Sequence, residues 1–199
     1  TCGRRTEMAW TVVYRVLLQY PEVLVLGVRP SEAPCIYLSS ILQIKTYMSK
    51  IRFDLITIFP RIFDSYINES MVRRAQEKKH IAISTVDIRS FSRDRHNKVD
   101  QKPYGGGPGM VLQAEPIVRA ILSVAKKKQK PLVILTRAGG KQFNEKSAQK
   151  LAREKQIICV AGHYEGFDER IAAMLKQEKI RTAEYSIGSY VLTGGELPA

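Results

Sequence analysis

The chain has 199 residues, enough for one ordinary domain with an apolar core and an appendage, but short for two full domains. Its 32 Lys and Arg residues outnumber 19 Asp and Glu, and the net charge of +13 favours a polyanionic partner such as nucleic acid. Three widely spaced cysteines exclude a disulfide framework and the paired cysteine ligands of a metal site. We therefore predict a protein of the reducing cytoplasm.

Residues 1–47 are predicted to be an upstream extension that is not part of the working domain. They carry only +2 of the net charge, and their weak periodicity is broken by proline and serine. Their most apolar stretch, residues 11–28, contains Arg15, Pro21 and Glu22, so it lacks the clean apolar length that spans a bilayer. Met48 then opens the strand-like string MSKIRFDLITIF, and we place the functional domain at residues 48–199.

From Met48 onward, apolar runs of strand length alternate with segments of helical period. The predicted strands are residues 53–59, 81–88, 132–135, 157–161 and 181–186. The predicted helices are residues 60–79, 114–128, 144–154 and 167–176. This alternation predicts an α/β domain with a mostly parallel sheet and helices on both faces. In such a fold, ligands bind in loops beyond the carboxyl ends of the strands.

The first glycine-bearing loop is PYGGGPGM, residues 103–110. It has neither the lysine and hydroxyl that end a GxxxxGK phosphate loop nor the spacing of a GxGxxG dinucleotide fingerprint, so a nucleotide-triphosphate cradle is excluded. Three consecutive glycines between two prolines instead predict positive-φ turns that a ligand approaches closely. A flexible surface turn is the alternative.

The second loop is VAGHYEGFDER, residues 160–170. His163, Tyr164 and Glu165 follow the end of a predicted strand, and Asp168 is placed to cap the next helix. Glu165 lies outside that helix, where it is suited to accept hydrogen bonds from a bound amine, hydroxyl or base edge. His163 fits a solvent-exposed loop position equally well.

The third stretch is SIGSYVLTGGELPA, residues 186–199, a short strand-like apolar run flanked by glycines. Gly188 and the Gly194–Gly195 pair allow the backbone to fold around a flat ligand. Ile187, Tyr190 and Leu192 are suited to supply apolar walls, so the pattern predicts an adenine pocket. A plain buried strand with glycine turns is the alternative.

Together these segments resemble the bacterial tRNA (guanine-N1)-methyltransferase family, knotted enzymes of the SPOUT class that methylate the guanine following the anticodon. The resemblance covers residues 48–199 and rests on four strings in register, RFDLITIFP, PYGGGPGM, GHYEGFDER and SIGSYVLTGGELPA. It implies an S-adenosylmethionine-dependent enzyme that acts on tRNA as a homodimer, with a trefoil knot at the end of the α/β domain. Magnesium is associated with the family, although no ligand cluster marks a metal site in this sequence.

On matching positions, the resemblance also implies the roles of individual residues. The expected cofactor-binding residues are Leu135, Gly140, Gly162, Tyr164, Glu165, Ile187, Gly188, Ser189, Tyr190, Val191, Leu192, Gly194 and Gly195. The residues expected near the target guanine are Asp100, Tyr104, Gly105, Gly106 and Gly107. In the family, an arginine, an aspartate base and a tRNA-binding domain follow GGELPA. We therefore expect the catalytic residues beyond Ala199 and no turnover from this chain alone.

The sequence departs from the family at TRAGG, residues 136–140, where Arg137 replaces a small or hydroxyl residue. Three alternative functions stay open at this point. A knotted ribosomal RNA methyltransferase would share the cofactor pocket but not PYGGGPGM. A noncatalytic RNA-binding protein would use the charge without the pocket. A nucleotide hydrolase is the weakest alternative, because this sequence has no lysine motif that binds phosphates.

Overall fold

A computed structural model describes residues 50–199, and the extension expected at residues 1–47 lies outside them. The strands are β1 Ile51–Thr57, β2 Ile81–Asp87, β3 Asp100–Gln101, β4 Val111–Leu112, β5 Leu132–Gln142, β6 Gln156–Val160 and β7 Arg181–Ser186. The helices are α1 Asp64–Ile67, α2 Ser70–Glu77, α3 Ala114–Val124, α4 Glu145–Leu151 and α5 Arg170–Gln177. Short 3₁₀ turns occupy Pro60–Phe63, Ile88–Phe91 and Lys127–Gln129.

Five strands form one sheet in the order β2-β1-β6-β5-β7, and every neighbouring pair is parallel. All five residues of β6 are buried, as expected for a central strand that is covered on both faces. The short strands β3 and β4 form a separate antiparallel pair. The predicted α/β class with a mostly parallel sheet is therefore confirmed.

Helices cover both faces of the sheet. On one face, Ile117 and Ile121 of α3 join Ile171 and Leu175 of α5 in a buried apolar cluster with the sheet. On the other face, Phe63 and Leu151 pack with strand residues that include Leu55, Ile134 and Cys159. This three-layer arrangement leaves the strand ends, rather than the faces, open to ligands.

A buried carboxylate ties three strands together near the amino end of the sheet. Asp54 of β1 is fully buried, and its carboxylate accepts hydrogen bonds from Ser84 of β2 and from Gln156 of β6, the latter at 2.7 Å. Arg52 forms an ion pair with it at 2.7 Å. The Gln156 side chain also donates to the Val124 carbonyl and accepts the Lys126 amide, which fixes the end of α3.

Several predicted element boundaries were wrong. The single helix expected over residues 60–79 is broken, because Glu69 is extended and Ser70 has a φ of 50°. The helix expected over residues 114–128 ends at Val124, where Ala125 turns to extended backbone, so its lysines lie beyond it. Residues 187–192 form no strand, so the alternative interpretation of the last apolar run as a plain buried strand is wrong, whereas the strand predicted at residues 181–186 is present as β7. No helix within residues 50–199 has the length and apolar character needed to cross a membrane.

Candidate functional site

The three glycine-bearing loops meet at the carboxyl edge of the sheet. The Gly195 amide donates to the Gly162 carbonyl at 2.6 Å, next to an antiparallel bridge between His163 and Gly194. The Glu165 amide donates to the Met110 carbonyl at 3.0 Å. Backbone hydrogen bonds therefore join segments that are far apart in the sequence into one assembly.

A cavity of about 500 Å³ lies where these loops converge. Its size falls within the range of ordinary small-molecule sites. The lining residues come from the end of β5, from the loop after β6, and from β7 with the segment that follows it. They include Thr136, Arg137, Gly162–Phe167, Glu184, Ile187, Tyr190, Leu192 and Gly195.

Glycines in this region permit backbone contacts that a side chain would prevent. A Cβ on Gly195 would clash with the Thr136 hydroxyl and lie 2.6 Å from the Gly162 nitrogen. A Cβ on Gly194 would lie 2.7 Å from His163 Nδ1. The Gly194–Gly195 pair is therefore needed for the C-terminal segment to lie against the loop after β6.

Carboxylates dominate the charged part of the lining. Glu165, Glu169 and Glu184 line the cavity together with the single guanidinium of Arg137. Arg137 Nη1 lies 3.0 Å from Glu169 Oε2 and 3.1 Å from Glu184 Oε1. The hydrogen bond from Arg137 lowers the pKa of Glu169, and the same bond raises the pKa of Arg137 against the effect of its partial burial. The departure from the family at Arg137 thus forms a bridge between two cavity carboxylates.

A buried carboxylate anchors the C-terminal segment below the cavity. Glu196 is 7% exposed, and its Oε1 accepts a hydrogen bond from the Thr57 hydroxyl at the end of β1, at 2.9 Å. Its Oε2 lies 3.5 Å from Nδ1 of His163, whose ring packs edge-on against Phe59. His163 is thus a packed residue between two loops and not a free surface side chain.

The loop after β6 begins with a tight turn. The Gly166 amide donates to the His163 carbonyl at 3.0 Å, and Tyr164 has a φ of 58°. Such a φ is uncommon for an aromatic residue, and the turn directs Tyr164 and Glu165 to the cavity. Asp168 accepts the Arg170 amide at 2.9 Å, but the N-cap of α5 is Glu169, which makes no side-chain capping hydrogen bond, so Asp168 is not the cap that the sequence predicted.

The PYGGGPGM loop has the positive-φ turns expected from its sequence. Gly105, Gly106, Gly107 and Gly109 have φ values between 85° and 119°. A Cβ on Gly109 would lie 2.5 Å from the side chain of Glu165, whereas nothing lies within 4 Å of a Cβ on the other three. One end of the loop therefore packs against the cavity wall, while its glycine-rich tip is open.

Ten of the thirteen residues expected to contact the cofactor line this one cavity. Leu135 is instead buried in β5, and Gly140 packs against the backbone of Tyr185. Ser189 is exposed and outside the lining. Asp100 is half-buried in β3, and Tyr104 is fully exposed beside Gly105–Gly107, so the residues expected near the guanine do not line the cavity.

Sequence reasoning did not select Thr136, Arg137, Glu169, Glu184 or Glu196. Four of these line the cavity, and Glu196 holds the segment that closes it. The only available signal was their position next to the glycine motifs, since isolated carboxylates on a basic chain are indistinguishable from surface charge.

Comparisons with known proteins identify the family of this chain. The family model described as tRNA (guanine-1)-methyltransferase TrmD matches residues 51–199. A tRNA (guanine-N(1)-)-methyltransferase of Moorella thermoacetica is 47% identical over 150 residues, which cover 74% of this chain and 58% of that protein. The proteins of the same name from Anoxybacillus flavithermus and Ruminiclostridium cellulolyticum are 46% and 43% identical over 149 residues, which cover 74% of this chain and 59% and 62% of theirs.

The chain spans less than two thirds of the length of these curated relatives. The match nevertheless includes every segment that forms the cavity. The chain therefore belongs to the tRNA (guanine-1)-methyltransferase TrmD family.

Proposed function

We propose that the cavity binds S-adenosylmethionine and that the protein methylates N1 of the guanine following the anticodon of tRNA. The observation that carries this proposal is the cavity itself, in which three carboxylates and close glycine backbone meet in a chain of this family. The cofactor, when bound, supplies an electrophilic methyl group on a sulfonium.

The residues present fit such a ligand. A cofactor with a sulfonium and an ammonium group is cationic, and the lining has three carboxylates against one guanidinium: Glu169 and Glu184 share Arg137, which leaves the carboxylate of Glu165 to face the ligand. Ile187 and Leu192 provide apolar surface for a flat base, while the backbone near Gly162 and Gly195 approaches without side chains in between. We propose that Leu135, Gly140 and Ser189 support these loops without lining the cavity.

Methyl transfer to guanine N1 requires removal of the N1 proton, support for charge on O6, and an in-line approach. In this proposal the lining residues orient the cofactor and keep water away from it. The open tip at Gly105–Gly107, together with Tyr104, contacts the target nucleotide. We assign neither the base nor the group that supports O6 to the described residues.

We further propose a trefoil knot, a homodimer and a cytoplasmic location. In support of the knot, the segment after the edge strand β7 returns past β5 to reach Gly162 in the loop after β6 and Thr57 at the end of β1. A role for magnesium stays a prediction, since within residues 50–199 no group of three or more His, Cys, Asp or Glu side chains is placed to hold a metal ion.

Isothermal calorimetry with S-adenosylmethionine and S-adenosylhomocysteine tests the cofactor assignment on the chain as it stands. We expect saturable binding of both, because cofactor binding does not depend on the base that removes the guanine proton. A noncatalytic RNA-binding protein would give no saturable heat with either compound, and that result would overturn the proposal.

A chimaera tests the substrate. This chain is joined at GELPA to the remainder of the Moorella thermoacetica relative and is assayed with labelled cofactor and a tRNA transcript. We expect label in the transcript that has guanine after the anticodon, and none when adenine replaces that guanine. Equal labelling of both, or labelling of ribosomal RNA alone, would contradict the assignment.

A further inference from the structure

Basic residues are concentrated at the amino edge of the sheet, opposite the cavity. The segments that lead into its five strands are Lys50 and residues 77–80, 126–131, 153–155 and 178–181. They contain eleven Lys or Arg and three Glu, a net charge of +8, whereas residues 50–199 as a whole carry +11. The cavity, in contrast, has one Arg and three Glu in its lining. Most of the positive excess therefore lies away from the cofactor site.

The strand register places these basic residues in a row. Ile51 pairs with Ile81, Arg52 with Gln156, and Leu132 with both Ile157 and Arg181, so the five strands begin at nearly the same level. One exposed lysine precedes each strand, in the spatial order Lys79, Lys50, Lys155, Lys130 and Lys179. Strands about 4.8 Å apart spread this row over roughly 19 Å.

The three carboxylates of this edge neutralise only part of the charge. Glu154 pairs with Arg181 at 2.7 Å, and Glu178 pairs with Lys127 at 3.7 Å. Glu77 pairs with Arg73 of the same helix at 3.6 Å. Among residues 50–199, no ion pair involves the five lysines of the row.

Three of the five lysines have a left-handed backbone conformation, in which glycine would be more stable than lysine. Lys79, Lys130 and Lys179 have φ values of 59°, 50° and 58°. Lys79 and Lys179 follow the ends of α2 and α5, where the left-handed position is usually glycine. A side chain there costs about 1 kcal/mol or more relative to glycine. A lysine anywhere in the last turn interacts favourably with the helix dipole. The dipole therefore does not explain why lysine occupies these left-handed positions.

We propose that this lysine row binds the phosphate backbone of RNA, as a second contact with the tRNA substrate remote from the cofactor cavity. That the RNA is tRNA rests on the proposed function, whereas RNA binding by the lysine row does not depend on it. Flexible lysine side chains in a row match a string of phosphates, and the neighbouring Lys126 and Lys128 extend the positive surface.

The test measures binding of a tRNA transcript to the full chain by filter retention across a salt series. The variant carries Lys79→Gly, Lys130→Gly and Lys179→Gly. We expect its Kd to rise at least about tenfold near 0.1 M salt and the salt slope to fall by about 2 to 3, because three phosphate contacts are lost. Its thermal midpoint should be equal or higher, since glycine relieves the left-handed backbone.

Two further variants define the outcome. Lys→Arg at the same three positions keeps the charge and should retain tRNA binding. Removal of three exposed charges elsewhere, by Arg61→Gln, Lys141→Gln and Lys146→Gln, should change binding less than the glycine variant does. Equal binding by the glycine variant and the wild type, or an equal loss in the control, would show that the row is only a solvated face and overturn the proposal.

Binding to vesicles of anionic phospholipid is measured in parallel. Loss of vesicle binding with unchanged tRNA binding would also overturn the RNA assignment. S-adenosylhomocysteine calorimetry on the same variants should be unchanged. If that ligand fails to bind even the wild type, the proposed function fails, while the tRNA result still decides the role of the lysine row.

Discussion

At the scale of single residues, Asp54 shows how a buried charge is stabilised in this fold. Burial raises the pKa of its carboxyl, but hydrogen bonds from Arg52, Ser84 and Gln156 and the charge of Arg52 outweigh burial, and the pKa is lowered overall. The carboxylate is thus ionised in the folded protein and holds β1, β2 and β6 in register. Removing it would leave three polar partners without their acceptor.

We predict that Asp54→Ala lowers the free energy of unfolding by about 3 kcal/mol at pH 7, and that Ser84→Ala, which removes one donor, costs about 1 kcal/mol. Urea unfolding followed by circular dichroism measures both.

Because the folded pKa lies below the unfolded value, the contribution of Asp54 is present above the unfolded pKa, near about 4, and is lost as pH falls through the folded pKa. The difference between the wild type and Asp54→Asn should therefore shrink in acid; a difference independent of pH down to about 3 would contradict this account.

At the scale of elements, the irregular end of β5 makes room for the C-terminal segment. Pairing of β5 with β7 shifts register between Thr136 and Lys141, so residues 137–140 leave the regular ladder. Thr136 uses its hydroxyl to donate to the Val160 carbonyl, and Gly195 packs against that hydroxyl. The bulge and the Gly194–Gly195 pair together shape the cavity, which neither element forms alone.

We predict that Gly195→Ala lowers stability by about 1 to 3 kcal/mol and weakens S-adenosylhomocysteine binding at least about tenfold, because the new methyl group collides with backbone atoms that cannot move aside. Thermal unfolding and calorimetry measure the two effects. Gly139→Ala is the matched control for stability, since nothing lies within 4 Å of its Cβ, and its change should stay within about 0.5 kcal/mol. Similar losses of stability in both variants would argue against close packing at Gly195.

At the scale of the whole molecule, the sequence predicted the sheet because short apolar runs form its central strands: all five residues of β6 are buried, and Val133–Thr136 of β5 are buried beside them. The prediction from sequence failed where the conformation depends on contacts between residues that are far apart in the chain. The apolar run Ile187–Leu192 has a strand-like composition, yet it finds no partner strand and instead borders the cavity. The glycines that meet at the site were predictable from their motifs. The roles of Arg137 and Glu196 were not, because they depend on Glu184 and Thr57, which only folding brings near.

The buried thiol of Cys159 can report whether a ligand in the cavity stabilises the central strand β6. It lies in β6, three residues before Gly162, and burial raises the pKa of its thiol to about 12, so the folded protein should resist iodoacetamide at pH 8. In a Cys2→Ser, Cys35→Ser background, labelling then requires unfolding of the central strand.

A ligand at 100 times its Kd stabilises the folded state by about 2.7 kcal/mol, so we expect S-adenosylhomocysteine to slow labelling of Cys159 about 100-fold. An exposed thiol placed by Ser65→Cys, with Cys159→Ser, should react quickly with or without the ligand. Ligand-independent labelling of Cys159 would mean that β6 opens without disturbing the cavity, which would contradict the backbone coupling through Gly162.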